Sequence, residues 1–178
     1  MQNIHKFASL IFLCVIAVIS LTGCNSEGQS SEKFVDAPGF ELSLLEHNQG
    51  LDLSNLNFAN DLDGRPIIIN FWYPSCPPCR EEIPSLESTY KKYKDQGLVI
   101  VGIQSLVLDS VEDGRKFVNE FGITYPVGAD VASNIQLSYK IIGFPTTFFI
   151  NRDHQIIRKW SGLLDNKQLQ EFVAEILE

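Results

Sequence analysis

The sequence is short of most features that would place it in a broad class. Its 178 residues hold 14 lysines and arginines against 22 aspartates and glutamates, a formal net charge of −8. A nucleic-acid binder needs a basic face to neutralise phosphates, so that class is excluded. There is no heptad run, no short-period repeat and no low-complexity tract beyond one brief polar stretch. A Gly-rich phosphate loop, a zinc-protease motif and a Ser-His-Asp order are all missing. Apolar runs are short as well. Phe7 to Ile19 is nearly unbroken, yet too short to span a bilayer comfortably. What is present, 44% hydrophobic residues over this length, suffices for one domain with a full core and excludes global disorder.

The apolar run follows a weakly positive start at Lys6 and ends in Leu21-Thr22-Gly23-Cys24. Small residues at that place are where a signal peptide is cut. The tetrad resembles a bacterial lipoprotein box, in which the cysteine is lipidated on sulfur and becomes the first residue. The alternatives are an uncleaved amphipathic anchor, or an ordinary signal peptide with a chance cysteine. The expected organisation is a signal peptide over 1–23, a lipidated flexible tether over 24–34 and one folded domain over 35–178. Two or more acyl chains make a durable anchor. The expected location is therefore the extracytoplasmic side of a bacterial envelope membrane. On this reading Cys14 leaves with the signal and Cys24 is taken by lipid. Of the four cysteines only Cys76 and Cys79 remain, too close together to staple a domain of this size.

Along the mature chain, Phe40 to Leu45 and Leu51 to Leu53 read as short strands. Pro66 to Trp72 is an apolar, β-branched run expected as a buried central strand. Pro77 to Lys94 has apolar residues at helical steps and Gly97 ends it; Leu98 to Ile103 is a second buried strand. Val111 to Phe121, closed by Gly122, and Ala132 to Tyr139 read as helices. Thr146 to Ile150 and Gln155 to Trp160 form a hairpin around a polar turn, and Asp165 caps a last helix. This alternation predicts an α/β fold with a mostly parallel sheet, helices on both faces and an antiparallel edge from the hairpin.

Cys76-Pro77-Pro78-Cys79 falls where the central strand hands over to a helix. A helix amino terminus carries unpaired N–H groups and a partial positive charge, which stabilise a thiolate. The spacing predicts an exposed first cysteine at the tip and a second behind it. Proline suits a first helical turn, where its missing N–H costs nothing. Such a pair is also half of a zinc site. Zinc needs two more ligands, and the mature chain offers no other free cysteine and only His47 and His154, so no metal is expected.

The segment Phe71-Trp72-Tyr73-Pro74-Ser75-Cys76-Pro77-Pro78-Cys79-Arg80 resembles the active site of thioredoxin-like proteins. More narrowly it is similar to the membrane-anchored TlpA/ResA-type thiol–disulfide oxidoreductases. Ala37-Pro38-Gly39-Phe40, Pro84 and Gly143-Phe144-Pro145-Thr146-Thr147 match further motifs of that group. The resemblance implies a thioredoxin-like fold with a central mixed sheet, extra N-terminal strands and a helix-containing central insertion. It implies a cis-proline at Pro145 facing the disulfide. Two departures stand out: Ser75 replaces a tryptophan common before the first cysteine, and Asn70 stands where thioredoxin carries a buried aspartate.

Glu82 is the candidate that replaces that acid. It lies three residues after Cys79, hence on nearly the same helix face, and a carboxylate of raised pKa there could take the thiol proton. The alternative is a solvated helix carboxylate like Glu81. Phe144, Pro145 and Trp72 are candidate substrate contacts, Phe144 through strand addition; for Trp72 and Phe71 the alternative is packing beneath the site. The expected activity is a reductase of protein disulfides, with no cofactor beyond the redox-active Cys76–Cys79 pair. Its expected partners are a disulfide-containing protein substrate and a membrane thiol electron donor, in cytochrome c maturation or envelope redox homeostasis. Two other readings are a thiol peroxidase, whose reactive cysteine needs Thr or Ser three residues before it where Tyr73 stands, and a non-catalytic metal-handling lipoprotein.

Overall fold

The computed structural model describes residues 34–45 and 54–178. In chain order its elements are β1 (Val35–Asp36), β2 (Glu41–Ser43), β3 (Asn55–Asn57), α1 (Phe58–Asp61), β4 (Ile67–Trp72), α2 (Pro77–Tyr93), β5 (Val99–Ser105), α3 (Val111–Phe121), β6 (Val127–Asp130), α4 (Asn134–Ser138), β7 (Thr146–Ile150), β8 (Gln155–Ser161) and α5 (Asn166–Leu177). A 3-10 turn, Lys94–Gln96, follows α2.

The main sheet has the order β1-β8-β7-β4-β5-β6. β4 lies inside it and all six of its residues are buried, which is why its sequence is an unbroken apolar run rather than an alternating one. β5 runs parallel to β4, with Trp72 opposite Gln104, and β6 runs parallel to β5, with Ser105 opposite Asp130. β7 is antiparallel to β4 and β8 to β7, with Phe71 opposite Thr146 and Thr146 opposite Ser161. The carboxyl ends of β4, β5, β6 and β8 and the start of β7 therefore meet at one edge of the sheet. Strand alternation sends Ile68 and Trp72 into one apolar layer, with α2, α3 and α5. Ile67, Ile69 and Phe71 enter the opposite layer, with Phe148, Ile150 and Tyr139.

The residues before β4 reach both ends of this sheet. Val35 pairs with Ile156 on the outer side of β8, and Ala37 N–H donates to His154 O at 2.8 Å. Tyr139 Oη donates to Pro38 O at 2.8 Å. Leu42 pairs with Leu56 in a separate two-stranded sheet, and Leu44 bridges Gly128 of β6.

The central strand, the long helix, the hairpin and the Asp165 cap fall where the sequence predicts them. Gly97 and Gly122 stop their helices in left-handed conformations, with φ of 98° and 59°. The sheet is mixed rather than mostly parallel, since only β4–β5 and β5–β6 pair parallel, and β1 covers the hairpin's outer side. The other differences are local. β6 is unexpected, because Val-Gly-Ala-Asp is short and interrupted by glycine, and its strand state comes from pairing with β5. The helix expected over Ala132 to Tyr139 contracts to Asn134–Ser138, since Ser133 takes a φ of 56°. The strand expected over Phe40 to Leu45 contracts to Glu41–Ser43. The expected signal peptide, Cys24, His47 and the expected Leu51 to Leu53 strand lie outside the described residues. Among the described residues no helix is long and apolar enough to cross a membrane.

Candidate active site

β4 delivers the chain to the sheet edge at Trp72, and Cys76 is the N-cap of α2, with φ −79° and ψ 111°. Its Sγ accepts the Cys79 N–H at 3.2 Å, taking the place of an oxygen cap. Pro77 and Pro78 occupy the first helical positions and bring no N–H of their own. Cys76 and Cys79 are joined in a disulfide, S–S 2.05 Å.

The exposed tip expected for Cys76 is not found: the residue is 1% exposed and Cys79 is fully buried. Capping turns the Cys76 sulfur back over the helix toward Cys79, which lies in the apolar layer with Trp72, Ile83, Phe149 and Leu164. Tyr73 and Phe144 pack against that layer half-buried, their rings edge to face with centroids 5.3 Å apart. The disulfide is thus buried rather than proud of the surface.

The Phe144–Pro145 peptide bond is cis. Pro145 is buried, and of the pair only Phe144 keeps surface toward solvent. Trp72, a candidate substrate contact by sequence, is corrected: it is fully buried and stacks on Phe117 at 4.4 Å, so it packs beneath the site and offers no surface to a substrate.

Glu82 is buried, not a solvated helix carboxylate. Its Oε1 accepts Asn70 Nδ2 at 2.7 Å and its Oε2 accepts the Leu164 N–H at 3.1 Å. Burial raises its pKa from 4.5 to about 7, the two hydrogen bonds opposing that rise only in part. Asn70 also donates to Thr147 Oγ1 at 3.0 Å, linking Glu82 across β4 to the second residue of β7. The position that departs from thioredoxin is therefore the donor that holds the carboxylate.

Two residues that sequence reasoning missed fix the turn before Cys76. Asp109, in the loop after β5, accepts both Ser75 N–H (3.1 Å) and Ser75 Oγ–H (2.8 Å) through one carboxylate oxygen. Arg80 donates to Pro74 O at 3.2 Å, pairs with Glu120, and lies over the rings of Phe117 and Phe121. Arg80 belongs to the motif, so its basic side chain was a usable signal. Asp109 gave none, because its contact spans 34 positions and only the β4–β5 register brings it near.

The AhpC/TSA family model matches residues 35–159. The thiol-disulfide oxidoreductase ResA of Bacillus cereus is 28% identical over 178 residues, covering 98% of each chain. ResA of Bacillus subtilis is 26% identical over 164 residues, covering 92% of this chain and 87% of its own. The crystal structure of a thioredoxin-family thiol:disulfide interchange protein from Chlorobium tepidum superposes with a TM-score of 0.71 at 24% identity, covering 82% of this chain and 98% of that one. That likeness bears out the thioredoxin-like fold.

Proposed function

The chain belongs to the AhpC/TSA family and is a thiol–disulfide oxidoreductase, and from that premise we propose that it works as a reductase of protein disulfides outside the cytoplasm. The observation that carries the reading is the geometry around one cysteine pair: a capped, buried disulfide with a buried carboxylate of raised pKa one helical turn beyond it.

In the reduced enzyme the Cys76 thiolate attacks a substrate disulfide. A bond forms between Cys76 Sγ and one substrate sulfur; the other substrate sulfur leaves as thiolate and is protonated by solvent. Cys79 then gives its proton to Glu82 and attacks Cys76 Sγ, which expels the second substrate sulfur. Two electrons pass to the substrate and the enzyme is left as the Cys76–Cys79 disulfide. A dithiol protein, in this reading a membrane electron donor, returns them by the same exchange in reverse. No cofactor enters the scheme, because the cysteine pair carries both electrons. The substrate is an envelope protein disulfide, an apocytochrome c among the candidates. Cys24 carries the lipid that holds the domain to its membrane.

Dithiol exchange fits the site better than peroxide reduction. Three residues before Cys76 stands Tyr73, its ring against Phe144, where a peroxidatic cysteine needs a Thr or Ser hydroxyl. Cys79→Ser removes the resolving thiol, so reduced Cys79→Ser protein should accumulate a dithiothreitol-sensitive covalent adduct with a disulfide protein. Peroxide consumption without such an adduct would overturn the reading in favour of a peroxidase.

A further inference from the structure

The turn that leads into Cys76 is held from both ends of α3. Asp109, the residue before the N-cap Ser110, takes the Ser75 N–H and Oγ–H on one carboxylate oxygen, at 3.1 and 2.8 Å. At the other end of α3, Glu120 pairs with Arg80, which donates to Pro74 O at 3.2 Å. Two neighbouring residues, Pro74 and Ser75, are thus gripped from opposite ends of one helix. The next residue is the sulfur-bearing N-cap of α2.

The charged groups around this turn are not alike. Arg80 has Glu120. Asp113 accepts Ser110 N–H and Oγ–H at 3.0 and 2.6 Å, with Lys116 close enough to stabilise its charge. On α2, Glu81 stands in solvent and Glu82 is buried beyond Cys79. The connections before β7 and after β8 bring Phe144 and Leu164 against the cysteine layer, neither of them charged. Asp109 is the exception: it is half-buried, its hydrogen bonds come from Ser75, and among the described residues it joins no ion pair. A carboxylate oxygen 3.1 Å from Ser75 N stands no more than about 11 Å from the Cys76 sulfur, roughly one Debye length.

We propose that Asp109 is a positioning residue for the exchange. Its grip on Ser75 sets Cys76 at the end of α2, and its charge, sharing that positive helix end with the sulfur, makes the Cys76 thiolate less stable. A less stable thiolate means a less stable reduced form, hence a more reducing couple. The proposal rests on the dithiol exchange argued above and adds the residue that biases its direction. The departure at Ser75 acquires a use, since a tryptophan there offers the carboxylate no hydroxyl.

Asp109→Asn separates the grip from the charge, because its amide oxygen still accepts from Ser75. In the reduced full-length protein, Cys76 alkylation by iodoacetamide, located by peptide mass, is followed against pH. The midpoint in Asp109→Asn should fall by about half a pH unit, the effect of a unit charge about 9 Å away at an effective dielectric constant of about 40. Equilibration with glutathione at pH 8 should then favour the reduced form about threefold more, about 15 mV toward oxidising. Ser75→Ala keeps the charge and the backbone hydrogen bond and should keep the wild-type midpoint. Asp109→Ala should shift the midpoint as Asp109→Asn does and also react several-fold more slowly with a protein disulfide at equal thiolate, because the turn is released. Glu171→Gln removes the same charge from α5 and should match the wild type throughout. A wild-type midpoint and potential in Asp109→Asn overturn the proposal, as does an equal shift in Glu171→Gln, which would make the effect one of net charge. Equal thiolate-corrected rates in Asp109→Asn and Asp109→Ala overturn it too, since the grip would then do nothing. Alkylation needs no disulfide partner: shifted variants of a protein that reduces no protein disulfide would fault the exchange reading while upholding the action of Asp109 on the sulfur.

Discussion

Replacing Glu82 by glutamine should remove a pH dependence that the wild type carries in its stability. The folded protein holds the Glu82 proton up to about pH 7, while the unfolded chain releases it near 4.5. Between those values the native state binds more protons than the unfolded state, so stability falls as pH rises. The contribution is fully present below pH 4.5 and lost once pH has passed 7. Two and a half pH units at about 1.36 kcal/mol each give roughly 3 kcal/mol across the window. Glutamine can keep the Leu164 N–H on its oxygen, and its own NH₂ can face Asn70 Oδ1, which has no partner among the described residues, once that amide turns over. Urea titration of the oxidised wild type and Glu82→Gln at pH 4.5, 6, 7 and 8 measures the difference. The variant should gain on the wild type by up to about 3 kcal/mol between the first and last points. Parallel curves would refute the argument, because they would mean that Glu82 ionises alike in both states. The kinetic counterpart is the resolving step: the wild-type rate should rise with pH through about 7, and the variant should be slower by about 10²-fold without that inflection.

Three other outcomes are open to measurement. Cys24→Ala should move the protein from the membrane fraction to a soluble or precursor pool, with the corresponding loss of lipid mass; unchanged fractionation and mass would remove the anchor. Cys76 Sγ accepts the Cys79 N–H and the two prolines can add no donor, so its thiolate is only moderately stabilised. Equilibration with dithiothreitol should place the couple nearer about −270 mV than about −120 mV, and a pair fully reduced in an oxidising glutathione buffer would mean an oxidase. In Gly128→Ala the new methyl would stand 2.5 Å from Ser43 O and 2.4 Å from Leu42 Cγ, so thermal unfolding should show a loss of about 1–3 kcal/mol, and an unchanged Tm would contradict the tight approach.

The sequence carried the central parts of the site because they are local. Cys76, Pro77 and Cys79 share one helical turn, and a spacing of three put Glu82 on the same face as Cys79. The features it concealed depend on register. Nothing near Asn70 announces that its amide bridges Glu82 and Thr147, which requires β4 beside β7. Asp109 reads as one more loop acid until β5 brings it to Ser75. β6 escaped for the same reason, since four residues with a central glycine become a strand only against β5. Burial of Cys76 was missed because a cap position suggests exposure, whereas a sulfur that both caps and bonds to its partner is drawn inward.

A sheet of this kind has two raw ends, each able to recruit a strand from a neighbouring molecule. Here one short stretch attends to both. β1 lies along the outer side of β8, and by Leu44 and Leu45 the chain has reached β6, where Leu45 N–H donates to Val127 O at 2.8 Å. The segment therefore guards against aggregation as well as leading into the domain. A version trimmed to begin at β4 would keep its cysteines and its central strands, yet expose ladder groups at both ends of the sheet. Solubility would fail before chemistry did.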